Sequence, residues 1–245
     1  QSRPRGFPVR QVFTGDKLSQ KYELTPIEPI KGSIDVKISI YPSVVDEIIK
    51  GMESMLRMPS GCFEQTSSSN YPNLLVLSYM REAGNVDKNL EKTIMGYLQT
   101  GYGRLTGYES KQGGFHWWGY DPAHEGLTAY GLMQFVDMKN VYSVDEKLIE
   151  RTTKWLLSRR DGKGNWQINP NCLHTWTASE PAQAYITWSL TEAKLSSQIQ
   201  KEIDATVSAA EKSKDPYQLA LAALSLYNAG NSSRAEQIVA TLAKE

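Results

Sequence analysis

The sequence predicts a mainly α-helical chain: an α/α toroid of repeated helix pairs, preceded by a short β segment. Three observations carry this. From Ser43 onward apolar residues recur at helical spacing. A unit of helix, Gly-rich aromatic turn and helix then repeats at intervals of about fifty residues. Residues 1–42 instead alternate apolar with polar, the period of half-buried strands.

In the first segment, Gln11-Val12-Phe13, Lys21-Tyr22-Glu23-Leu24 and Ile34 to Ile40 alternate, separated by Pro26, Pro29 and Gly32-Ser33. Such a unit has open edges and needs a complement elsewhere. Val44, Val45, Ile48, Ile49, Met52, Met55 and Leu56 then mark one face of a helix that Pro59-Ser60-Gly61 should end. The polar run Thr66 to Ser69 is expected to lead to a helix opening at Pro72 and stopping at Ala83-Gly84-Asn85.

The repeat begins with a helix around Ile94 to Leu98, the turn Gly113 to Gly119, and a helix from Leu127 to Phe135. Its second copy is Trp155-Leu156-Leu157, Asp161 to Trp166, and Ala182 to Trp188. The third is looser, Ile199 to Ala210 and Pro216 to Tyr227, and Ser233 to Lys244 is amphipathic. Small and aromatic second helices suit the inside of a ring. The helices are too few for a full ring of pairs, so the toroid is expected to be incomplete, with truncation at the C-terminus. The chain opens on Gln1 without a signal-peptide core, as a piece of a longer protein would.

Composition excludes several functions. Twenty-seven basic residues balance 27 acidic ones, which removes the electrostatic case for nucleic acid. No apolar run is long enough to span a bilayer. Two cysteines cannot build a disulfide framework, and no His, Cys or carboxylate group has metal-ligand spacing.

The chemistry concentrates in Pro59-Ser60-Gly61-Cys62-Phe63-Glu64-Gln65. A glycine permits a sharp turn, and a Cys and a Gln three apart can bring a sulfur against a side-chain amide carbon. Attack with loss of ammonia leaves an internal thioester, with Gln65 as acyl group and Cys62 as leaving thiolate. Glu64, between the pair, could move protons as ammonia departs, or could equally pair with a nearby base such as Arg57. Six tryptophans and thirteen tyrosines could shield such a bond, with Trp117, Trp118, Trp166 and Trp176 in turns or loops at helix ends, although most should simply fill the core. Cys172 could alternatively pair with Cys62, which would cancel the thioester, but it reads as a bystander. His116 and His124 read as packing and capping residues.

Gly61-Cys62-Phe63-Glu64-Gln65 resembles the Gly-Cys-x-Glu-Gln signature of the α2-macroglobulin and complement family. The resemblance implies that residues 1–42 are the first half of a CUB-type β-sandwich and residues 43–245 a thioester domain. It implies no cofactor beyond the Cys62–Gln65 cross-link. It also makes His174, eight residues after Trp166, the histidine that attacks the thioester and directs transfer to hydroxyls. The module would be exposed by proteolysis of its parent and would acylate hydroxyls or amines on proteases or target surfaces. It would do so once per molecule, not as a turnover enzyme. The parent would be secreted, or alternatively periplasmic, because Phe63 departs from the small residue usual in animal members. The competing readings are a Cys62/His174 thiol hydrolase, another enzyme on the same ring, and an inert binding domain.

Overall fold

The computed structural model describes residues 51–84, 87–169 and 179–243, with isolated positions 21, 32, 34 and 36–38. The chain divides into two units, Gln1–Asp46 and Glu47–Glu245; the fold that follows is that of the second. The strands expected before residue 43 fall mostly outside the described residues, and positions 34 and 36–38 are not in a strand. Helical residues 51–53 lead into the motif. Among the described residues eight further α-helices follow: α1 (Phe63–Glu82), α2 (Lys88–Thr106), α3 (Glu125–Met138), α4 (Glu146–Ser158), α5 (Ser179–Glu192), α6 (Gln200–Ser213), α7 (Pro216–Asn228) and α8 (Ser232–Leu242).

The helices start where their capping chemistry dictates. Asp87 accepts from the Asn89 and Leu90 amides, Asp145 from Lys147, Asp215 from Gln218 and Asn231 from Arg234. Each side chain satisfies amides that have no partner inside the helix. Pro216 follows its cap at the first helical position, where its missing N–H costs nothing.

Successive helices pair as α1–α2, α3–α4, α5–α6 and α7–α8, while α1, α3, α5 and α7 pack one against the next. This is an inner layer of alternate helices backed by an outer one, the α/α toroid arrangement. Composition explains the division. Outer helices bury one stripe: Ile94, Leu98, Gly101 and Leu105 on α2, and Leu148, Thr152 and Leu156 on α4. Inner α3 buries residues on nearly every side, including Leu127, Thr128, Ala129, Leu132, Gln134 and Phe135. It is packed on both faces and sides, so it shows no polar stripe.

The two aromatic turns are built alike. Ser110 N–H donates to Gly114 C=O and Asp161 N–H to Asn165 C=O, both at 2.9 Å. The aromatic that ends each turn is buried and docks its backbone N–H on the following inner helix. Phe115 donates to Thr128 Oγ1 at 2.8 Å, and Trp166 to Gln183 Oε1 at 2.6 Å. Trp166 adds its indole N–H to Thr187 at 3.0 Å. The turn is therefore a joint fixing where each inner helix begins.

One expectation is corrected here. The first inner helix opens at Phe63, and Pro72 lies inside it. Ser68 and Ser69 bend their hydroxyls back to the Glu64 and Gln65 carbonyls at 2.8 and 2.7 Å. Thr66, Ser67, Asn70 and Asn73 are buried against neighbours. Asn70 meets α2 at Gly101, where a Cβ would lie 2.0 Å from its Oδ1. Tertiary packing carries the helix through a proline that would otherwise mark its start.

The interior surface of the inner layer is aromatic and acidic. The Tyr71 hydroxyl donates to Asp137, and Tyr71 meets Tyr130 edge-on at 6.0 Å. Glu192 accepts from Trp188 and Asn228 at 2.9 and 2.7 Å. Burial, and then the charge of Glu192, holds the Asp137 carboxyl above its ordinary range, although the Tyr71 bond pulls the other way. A raised carboxyl favours the protonated fold, so stability falls as pH rises through its folded value. Asp137→Asn keeps an acceptor for Tyr71 and removes that charge. It is expected to raise the melting temperature at neutral pH, with the gain shrinking as pH falls and vanishing below about 3.8. Thermal scans of both proteins across pH check the sign.

Gly131 on α3 yields space to the motif: a Cβ there would stand 2.7 Å from the tip of Phe63. Gly131→Ala is expected to cost about 1–3 kcal/mol by overpacking, read by chemical denaturation. An unchanged midpoint would show that Phe63 is free to retreat.

Candidate thioester site

The motif lies on the turn that starts α1. Gly61 has a φ of 82°, in the left-handed region that favours glycine. Cys62 follows as the helix N-cap in extended conformation and is 8% exposed. The Gln65 side chain folds back over this turn, and its Oε1 accepts from the Cys62 backbone N–H at 3.2 Å. Cys62 and Gln65 thus stand in the reciprocal relation of a capping box. The glutamine half is the hydrogen bond; the sulfur half is a contact without a full one. A Cβ on Gly61 would lie 2.1 Å from Gln65 Oε1 and 2.9 Å from its amide carbon. The space a side chain would fill is where the amide of Gln65 rests.

The Gly61 carbonyl is held from the other side. It accepts from the Tyr108 hydroxyl at 2.6 Å, from Arg104 Nη2 at 2.7 Å and from Thr66 Oγ1 at 3.3 Å. Arg104 also donates to the Tyr108 oxygen at 3.1 Å. Both side chains come from the C-terminal end of α2 and its exit, one helical turn apart. Sequence reasoning missed them, because an Arg and a Tyr at that spacing read as ordinary helix-surface residues.

Phe63 anchors the turn from beneath. It is fully buried, stacks on Phe115 at 4.9 Å and meets Tyr108 edge-on at 6.5 Å. Its N–H donates to the Trp117 carbonyl at 3.0 Å. The aromatic turn thereby joins the motif twice, since the Trp117 indole N–H donates to Glu64 at 3.0 Å. Glu64 is thus engaged by an indole, while the Arg57 backbone N–H donates to Asn73 Oδ1 and its C=O accepts from Asn73 Nδ2. Trp117 packs on His124 at 4.9 Å, and His124 caps α3 by accepting from the Leu127 amide. His116 accepts from the Trp118 amide, and burial lowers its pKa. Buried Glu125, next to His124, is held by Arg159 at 2.9 Å and by the Asn169 amide at 3.1 Å.

Of the sequence-derived residues, the structure brings Cys62, Glu64 and Gln65 onto one turn. His174, Cys172 and Trp176 lie outside the described residues. Cys62 is in no disulfide. Trp166 belongs to the second turn and the core, and Trp118 is 57% exposed. The described residues bury Cys62 and leave Gln65 as an exposed residue. Among the described residues no His, Cys, Asp and Glu group has metal-binding geometry, and no helix is long and apolar enough to cross a membrane.

The family model described as the A-macroglobulin TED domain matches residues 36–245. The chain belongs to that family. Thioester-containing protein 1 of Anopheles gambiae, allele R1, is 27% identical over 136 residues, 55% of this chain and 10% of that protein. Allele S3 is 26% identical over 144 residues, 58% and 11% respectively. This TED domain thus spans about a tenth of those relatives. Among solved structures, native α2-macroglobulin from Escherichia coli, from domain MG7 to the C-terminus, aligns with a TM-score of 0.57 and 22% identity. It covers 83% of this chain and 31% of that one. Salmonella α2-macroglobulin reacted with methylamine aligns at 0.56 and 21%, covering 79% and 12%. These likenesses establish the helical fold of the TED domain.

The geometry at Gly61 gives a direct test. Gly61→Ala places a Cβ in an unfavourable backbone region and on the Gln65 amide. It is expected to cost about 1–2 kcal/mol from the backbone alone and to displace Gln65 from Cys62. Denaturation measures the first effect. Loss of the Cys62 amide's protection from hydrogen exchange reads the second, and retained protection would contradict it.

Proposed function

We propose that this TED domain is a single-use covalent-attachment module whose acyl group is Gln65, stored as a thioester on Cys62. The carrying observation is the Gln65 amide folded over Gly61 onto the Cys62 N–H. In forming the bond, Cys62 Sγ adds to Gln65 Cδ, the Cδ=Oε1 electron pair moves to oxygen, and the thiol proton passes to Nε2. Collapse expels ammonia. Glu64, held at the site by the Trp117 indole, is the group we assign to that proton transfer.

Discharge uses the same electrophilic carbon, with sulfur now the leaving group. An amine attacks Cδ, the Cys62 thiolate leaves, and the amine proton returns to it. For hydroxyls we assign the first attack to the His174 imidazole. It forms an acyl-imidazole, and the freed thiolate then acts as general base on the alcohol. Because Gln65 is exposed here, the cover that holds the bond in reserve is assigned to the rest of the parent protein, in which proteolysis would uncover it. A 1–42 half-sandwich of the CUB type, a secreted or periplasmic parent, and proteases or surfaces bearing amines and hydroxyls as targets complete this reading. The thioester itself is the only prosthetic feature it needs.

Incubating the chain with an isotopically labelled amine tests the proposal. One label per chain, attached at residue 65, with one thiol released and no second turnover is the expected result. Continued turnover, or label elsewhere, would instead favour a thiol enzyme. His174→Ala is expected to slow transfer to glycerol by at least about a hundredfold while leaving amine transfer within about threefold. Equal slowing of both, or of neither, removes His174 from the mechanism.

A further inference from the structure

We infer that the Cys62 backbone N–H is the oxyanion donor for the thioester reactions, and that Tyr108 and Arg104 are positioning residues that hold and polarise it. This rests on the thioester reading above and adds a source of transition-state stabilisation to it. In both formation and discharge of the bond, negative charge appears on Gln65 Oε1 as Cδ becomes tetrahedral. That oxygen already accepts from the Cys62 N–H at 3.2 Å. A fixed backbone donor aimed at the atom where charge develops is the arrangement that lowers acyl-transfer barriers. Cys62 is the N-cap, so its N–H has no backbone carbonyl partner in α1 and is left to the Gln65 oxygen.

The donor belongs to the peptide unit joining Gly61 to Cys62, and the opposite end of that unit is its carbonyl. There Tyr108 at 2.6 Å, Arg104 at 2.7 Å and Thr66 at 3.3 Å converge. Arg104 also donates to the Tyr108 oxygen, so a guanidinium polarises the hydroxyl that polarises the carbonyl. Hydrogen bonds in series strengthen one another, and those to ions are the stronger ones. Electron density drawn to the Gly61 oxygen makes the Cys62 N–H a better donor. The same three contacts fix the plane of the peptide, keeping the N–H directed at Gln65. Tyr108 is itself fixed, by edge contacts with Phe63 and Trp118. None of these side chains has to touch the reacting carbon.

A merely protective role for Tyr108 and Arg104 makes the opposite forecast. If they only cover the bond, removing them opens it and speeds attack. If they support the oxyanion donor, removing them slows attack.

The test follows the rate of methylamine cleavage in the full chain, by thiol release at fixed pH. It is read as a first-order constant of the loaded fraction, so incomplete loading does not enter. Tyr108→Phe keeps the ring contacts and is expected to react about tenfold more slowly. Arg104→Gln should behave likewise, with Arg104→Lys recovering part of the loss by restoring the charge. Equal or faster cleavage in both Tyr108→Phe and Arg104→Gln overturns the inference while leaving the thioester reading standing. A wild-type chain that has lost no ammonia and releases no thiol overturns the thioester reading, and this inference with it.

Discussion

The backbone at Gly61 sets the terms for the rest of the structure. Its left-handed φ turns the chain so that Cys62 caps α1, and its missing Cβ leaves the volume in which the Gln65 amide lies. A four-residue span thereby brings a sulfur and an amide carbon to the same turn without distorting the helix behind it. The other feature of a helix start, an N–H without a backbone partner, is put to use because Gln65 Oε1 takes it.

That turn could not hold its shape alone. Phe63 fixes it from below, in a cluster with Leu105, Phe115, Leu127, Phe135 and Leu148 that draws on three further helices and the aromatic turn. Burying such a ring stabilises by about 1.5–3 kcal/mol. The clamp on the Gly61 carbonyl fixes it from α2, and Trp117 fixes it from the aromatic turn through one backbone and one side-chain bond. The toroid thus matters to the site as a set of neighbours at fixed distance: α2 supplies the clamp, and α3 supplies the gap at Gly131.

The fold class and the turn that carries Cys62 and Gln65 were legible because their signals are local. Helical spacing, the Gly-rich aromatic turns and five consecutive residues around Cys62 each carry meaning at short range. The start of α1 was misjudged because Pro72 is a strong local signal that buried Asn70 and Thr66 override through contacts with distant residues. The clamp was invisible for the same reason, since Arg104 and Tyr108 lie 43 and 47 residues from Gly61 in sequence. Phe63 was legible only as a departure from a pattern; its role as anchor depends on Gly131 and Phe115, which no spacing rule connects to it. The tryptophans are a natural place to look for cover over Gln65, yet Trp117 hydrogen-bonds Glu64 and the Phe63 amide instead.

The central claim is that Cys62 and Gln65 are joined. Intact mass under non-reducing conditions, on freshly prepared chain before any nucleophile is added, tests it most directly. The account predicts a mass lower than that of the sequence by one ammonia, with the loss mapped by digestion to the peptide containing residues 62 and 65. The full mass of the sequence, with a free Cys62 thiol and an unmodified Gln65 amide, would contradict it.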